Sequence, residues 1–172
     1  MSGRHLGRSS VRALFVLDAS VLIDLRATEP AVLALISKHV GTLHVASTML
    51  REEVPDSSAD ECDGLGIRVV EPELALLRSA AEKIAGLSFH DRVCMLLAEQ
   101  HSWACLTNDV RLRKECKRRS IAHQWGLEPV VALVNSGRYE TDRAKELMSA
   151  LQRRSPGHYK PSVVERFLKA IG

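Results

Sequence analysis

The segment Ala13 to Leu17, A-L-F-V-L, closed by Asp18, constrains the fold more than any other stretch. It is a short apolar run without alternation. A strand with one wet face alternates apolar and polar residues, whereas a strand covered on both faces does not. This run therefore predicts a strand inside a parallel sheet, with helices on either side.

The rest of the chain keeps the rhythm that such a sheet needs. Ala19 to Leu25 reads as a helix, and a second helix starts at Pro30, runs through Ala31 to Val40 and is stopped by Gly41. Thr42 to Ala46 is a candidate strand. Thr48 to Val54 follows as a helix capped by Ser47 and ended by Pro55. The acidic segment Asp56 to Gly66 is expected to be a loop. Ile67 to Val70 reads as a strand, and Pro72 to Ala85 as a helix with Leu74, Leu77 and Ala81 inward, ended by Gly86. Asp91 to His101 reads as a helix, Trp103 to Thr107 as a strand, Val110 to Arg119 as a basic helix, and Ile121 to Gln124 as a fifth strand. Alternating strands and helices place the chain in the α/β class, as a three-layer sandwich. After Leu127 the rhythm changes to three helices, Pro129 to Val134, Thr141 to Gln152 and Pro161 to Ile171. The expected division is a loose tail (1–12), an α/β domain (13–126) and a helical extension packed on it (127–172).

Aromatic residues make up only 4% of the chain, so aliphatic side chains must fill the core. A net charge of +3 is too small to argue for nucleic acid by itself. The four cysteines, Cys62, Cys94, Cys105 and Cys116, form no C-x-x-C pair and read as buried thiols. Histidine and cysteine stand four apart at His90/Cys94 and His101/Cys105, but zinc would need three or four such ligands together. No apolar run is long enough for a signal core or a membrane span, and a cytoplasmic protein is expected. Asp18-Ala19-Ser20 lacks the second acid that a phosphatase nucleophile would want, and no P-loop or G-x-G-x-x-G occurs.

The chemistry lies in acids that follow strands. Asp18 ends the first strand, Glu52 and Glu53 lie in the helix after the second, and Asp109 stands two residues past the fourth. Asp91 heads the helix leading into that fourth strand. In a parallel sheet all these positions fall on the rim where ligands bind. Carboxylates crowded there repel unless a cation compensates them, and Mg²⁺ or Mn²⁺ suits oxygen ligands. Taken singly, Asp91 and Asp109 also suit helix caps.

The motifs Leu17-Asp18-Ala19-Ser20-Val21-Leu22-Ile23-Asp24, Ser47-Thr48-Met49-Leu50-Arg51-Glu52-Glu53, Ser88-Phe89-His90-Asp91 and Leu106-Thr107-Asn108-Asp109 together resemble the PIN-domain ribonucleases. The resemblance covers roughly residues 13 to 124 and implies a five-stranded parallel sheet. It also implies a Mg²⁺- or Mn²⁺-dependent endoribonuclease with Asp18, Glu52, Asp91 and Asp109 as catalytic metal ligands. Such proteins are often toxins of toxin–antitoxin pairs, so an RNA substrate, an antitoxin partner and a homodimer are expected. The family has one glutamate where this chain has two. Glu52 is preferred over Glu53, and the two point about 100° apart on a helix. Ser20 and Thr107 are candidate supporting groups that orient a carboxylate. Asp24 is expected on the surface, and His90 exposed at its helix start. Arg111, Arg113 and Lys114, on the basic helix, are candidate RNA contacts. The alternative is a non-catalytic RNA- or protein-binding module on the same fold.

Overall fold

The computed structural model describes residues 12–172, so the expected tail lies outside the described residues except for Arg12. The elements run β1 (Ala13–Leu17), α1 (Ala19–Thr28), α2 (Pro30–His39), β2 (Gly41–Ala46), α3 (Ser47–Glu53), α4 (Ala59–Gly64) and β3 (Ile67–Val70). They continue with α5 (Leu74–Ala81), α6 (Phe89–His101), β4 (Ala104–Thr107), α7 (Val110–Arg118) and β5 (His123–Trp125). The helices α8 (Glu128–Asn135), α9 (Thr141–Arg154) and α10 (Pro161–Ile171) complete the chain.

The strands form one sheet in the order β3-β2-β1-β4-β5, and every pairing is parallel. The expected α/β class and five-stranded parallel sheet are therefore present. β1 is central. Successive residues Phe15, Val16 and Leu17 point to opposite faces, yet none is more than 2% exposed, so both faces are covered. α6 packs on β1, β2 and β4, with α5 and α7 beside it, while α1 and α2 pack together and α2 lies on β2 and β3. α9 packs against α1, α8 against α2, and α10 against both α8 and α9. Leu133, Leu151 and Phe167 of these last helices join the same core as Phe15 and Leu106.

Local expectations failed where tertiary contacts outweigh propensity. Ser47 is the first residue of α3, not its cap; its hydroxyl donates to Glu71 Oε2 at 2.6 Å instead. The expected loop after Pro55 contains α4, which Ser58 caps by accepting from the Glu61 N–H. α5 ends at Ala81, well before Gly86, and buries Leu76 and Ala80, leaving Leu74 63% exposed. Among the described residues, no helix is long and apolar enough to cross a membrane.

Gly41 does not stop α2; it opens β2 opposite Ala13. A Cβ there would stand 2.5 Å from the Ala13 carbonyl oxygen and 2.5 Å from the Phe15 ring. Those contacts lie inside van der Waals range, and the backbone partner cannot rotate away. Gly41→Ala is expected to destabilise the protein by about 2 kcal/mol. The loss would be read as a lower urea midpoint at unchanged m value; an unmoved midpoint would mean that the β1–β2 pair yields freely.

Candidate functional site

In the order β3-β2-β1-β4-β5 the chain winds outward in both directions from the β1–β4 pair. That pair is the topological switch point, and the crevice beyond its C-terminal ends is the place where such sheets bind ligands. Asp18 follows β1 there, with its N–H donating to the Leu106 carbonyl of β4 at 3.0 Å. Thr107, the last residue of β4 and fully buried, donates its hydroxyl to Asp18 Oδ2 at 2.8 Å. Ser20 donates to the same oxygen at 2.9 Å. Both candidate supporting hydroxyls thus reach Asp18. Although Asp18 occupies the N-cap position of α1, its side chain makes no capping hydrogen bond. Burial pushes its carboxyl up from 3.8 to about 6; the Thr107 and Ser20 hydroxyls oppose this, and the charge of Asp91 adds to it.

Asp18, Glu53, Asp91 and Asp109 line one cleft of about 580 Å³. Asp91 sits in a capping box at the start of α6: its Oδ2 accepts the Ser88 N–H at 2.6 Å, and its own N–H donates to Ser88 Oγ at 3.0 Å. Asp109 caps α7, its Oδ1 accepting the N–H groups of Arg111 at 2.6 Å and Leu112 at 3.0 Å. Both therefore carry the capping role that their sequence positions also suit, in addition to facing the cleft.

The preference for Glu52 does not match its placement. Among the described residues Glu52 accepts no hydrogen bond from a residue of the cleft; its Oε2 lies 2.9 Å from His90 Nε2. Glu53 lines the cleft, and desolvation raises its carboxyl, with His90 opposing and Asp91 and Glu52 adding repulsion. His90 itself is buried rather than exposed, and its Nδ1 has no hydrogen-bond partner among the described residues.

The donor set of four carboxylates and two hydroxyls has the hard-oxygen chemistry that Mg²⁺ and Mn²⁺ take. The spacing is more open than the sequence led one to expect. Among the described residues, no three His, Cys, Asp or Glu side chains come close enough to hold a metal ion. Capping holds Asp91 and Asp109 to their own helix ends, and like charges resist closer approach. Cys94 and Cys105 touch in the core, their sulfurs 3.5 Å apart.

The proposed RNA contacts Arg111, Arg113 and Lys114 do not line the cleft. Arg111 lies over Gly86, burial lowers the Arg113 guanidinium, and farther along the helix Arg118 and Arg119 pair with Glu115 and Glu99. The cleft instead includes Arg154, the last residue of α9, Ser155 and His158 from the α9–α10 connection, and Asp24. Asp24 is 3% exposed, not a surface residue. No motif signalled Arg154, Ser155 and His158, and Asp24, though it closes the first motif, was expected on the surface, because their meeting depends on α9 packing against α1. Neither models of known protein families nor curated proteins match the chain.

Asp18 has its pKa raised by folding, so the native state binds the extra proton between about pH 4 and pH 6. Stability tied to this group is present below the unfolded value and is lost as pH rises through about 6. In metal-free buffer, Asp18→Asn is therefore expected to gain about 3 kcal/mol on the wild type between pH 4 and pH 7. Parallel urea titrations at several pH values measure this; a difference independent of pH would mean that Asp18 is not a strained carboxylate.

Proposed function

We propose that the protein is a Mg²⁺- or Mn²⁺-dependent endoribonuclease of the PIN-domain type. The observation that carries the proposal is the Asp18 carboxylate, buried at the switch point and facing a cleft shared with Asp91, Asp109 and Glu53. A buried carboxylate near other acids gains from a cation, which supplies the charge its desolvation lacks. Mg²⁺ keeps several waters and needs only one or two direct carboxylates, so Asp18 would hold it directly, with Glu53, Asp91 and Asp109 reaching it through bound water. When bound, such an ion polarises a phosphodiester and lowers the pKa of a water.

The chain's own groups prepare the site. Thr107 and Ser20 grip one oxygen of Asp18 and so set the carboxylate's orientation. The same hydroxyls remove two rotational freedoms that a flexible acid would lose on binding. The capping bonds of Asp91 and Asp109 leave their remaining lone pairs to face the cleft. The proposal extends to a role as the toxin of a toxin–antitoxin pair, acting in the cytoplasm as a homodimer held by a small antitoxin.

A second reading, a non-catalytic RNA- or protein-binding module, draws on the capping bonds of Asp91 and Asp109, which give both acids a structural reason to be present. Calorimetric titration separates the two readings, since only the nuclease should take up Mg²⁺ or Mn²⁺ at Asp18.

The direct test is cleavage of single-stranded RNA with and without Mn²⁺. Wild type should cut only with the ion, and Asp18→Asn should not cut. Thr107→Val should slow cutting by about 10- to 100-fold. Glu53→Gln should slow it more than Glu52→Gln does. Cleavage that survives Asp18→Asn would remove the reading.

A further inference from the structure

Part of the cleft lining comes from the end of α9 and the α9–α10 connection, and Asp24 anchors it. Ser155 Oγ donates to Asp24 Oδ1 at 2.6 Å, and His158 Nδ1 lies 3.2 Å from Oδ2. Arg154 Nε stands 3.9 Å from Oδ1. A second tie lies one residue away: the Tyr159 hydroxyl, on a side chain only 1% exposed, accepts from Asn108 Nδ2 at 3.0 Å. Asn108 immediately precedes Asp109, so this connection is fastened to both sides of the switch point. It is a held segment with defined side-chain positions, not a loose linker.

Arg154 and His158 touch Asp24 from one side and leave the other to water, being 47% and 46% exposed at the side chain. Arg154 supplies a guanidinium and His158 a ring nitrogen to a cleft that also carries Asp18, Asp24, Glu53, Asp91 and Asp109. A polyanionic strand entering that cleft meets repulsion from every carboxylate that a cation does not compensate. A guanidinium at the rim, with a ring nitrogen beside it, offers the fork of donors that a phosphate takes best. The basic face of α7 does not supply this, because its cations lie outside the cleft.

We infer that Arg154 and His158, oriented by Asp24, form a phosphate-binding arm for a single-stranded RNA in this cleft. The inference rests on the ribonuclease reading for its ligand. It assigns to the C-terminal helices a direct part in holding substrate: α9 and the connection after it complete the binding cleft. The arm acts on a phosphate flanking the one near Asp18, since Asp24, which orients it, stands six residues along α1 from Asp18, about 9 Å at the helical rise.

The test uses the full chain carrying Asp18→Asn, which leaves the strand uncut, and a labelled single-stranded RNA decamer in Mg²⁺ buffer. Fluorescence anisotropy over a range of salt gives the affinity and its salt slope. Losing one phosphate contact should flatten the slope by about 0.7. Arg154→Gln is expected to show that change with roughly tenfold weaker binding. Arg153→Gln removes the same charge from the neighbouring position, outside the cleft, and should leave the slope as it was. His158→Gln should weaken binding less than Arg154→Gln does. A slope that Arg154→Gln leaves unmoved, or that Arg153→Gln flattens equally, overturns the arm while the nuclease reading stands. No RNA binding by the parent overturns both. If the Arg154 effect is present but the chain with Asp18 restored cuts no RNA, the arm is upheld and the nuclease reading falls.

Discussion

The hydrogen bond from Thr107 to Asp18 joins the ends of β1 and β4, and the site is organised around it. It bridges the two strands from which the sheet winds outward, so it closes the switch point with a side-chain contact where the backbone ladder ends. It also holds a carboxylate in a place that water scarcely reaches. Hydroxyls lower the cost of that burial only in part, and the residual demand for positive charge is what makes the cleft chemically unusual.

Each further acid reaches the cleft by a different local device. Asp91 and Asp109 arrive because helix N-termini need acceptors, and α6 and α7 both begin at the sheet's C-terminal rim. Glu53 arrives as the last residue of α3, at the end of the helix that follows β2. The outcome is one carboxylate fixed by hydroxyls, two fixed by helix ends and one set by a helix face. The part of the cleft around Asp24 obeys a simpler rule. Asp24 is buried, so groups must be brought to it: the end of α9 brings Arg154, and the connection after it brings Ser155 and His158.

Much of this could be read along the chain. The unbroken apolar run of β1 was legible because burial on both faces removes alternation. The positions of Asp18, Asp91 and Asp109 were legible because a parallel sheet sends every strand end to one rim. The choice between Glu52 and Glu53 was not, since both sit at the end of α3 and the answer depends on which neighbour each meets. Glu52 meets His90, thirty-eight residues away, and Glu53 meets the cleft. The same applies to Leu74, whose periodicity suited an inward face until the start of α5 set the phase.

By itself the sequence determined the sheet, its direction and the strand ends that carry acids, because these follow from local patterns of apolar and polar residues. Only the tertiary structure decided how close the acids come, which glutamate faces the cleft and that Asp24 is buried. It alone brought Arg154 and His158 to the cleft, more than 130 residues along the chain from Asp18. The physical reason is that periodicity records whether a side chain is covered, while its partner across the fold is set by how helices pack.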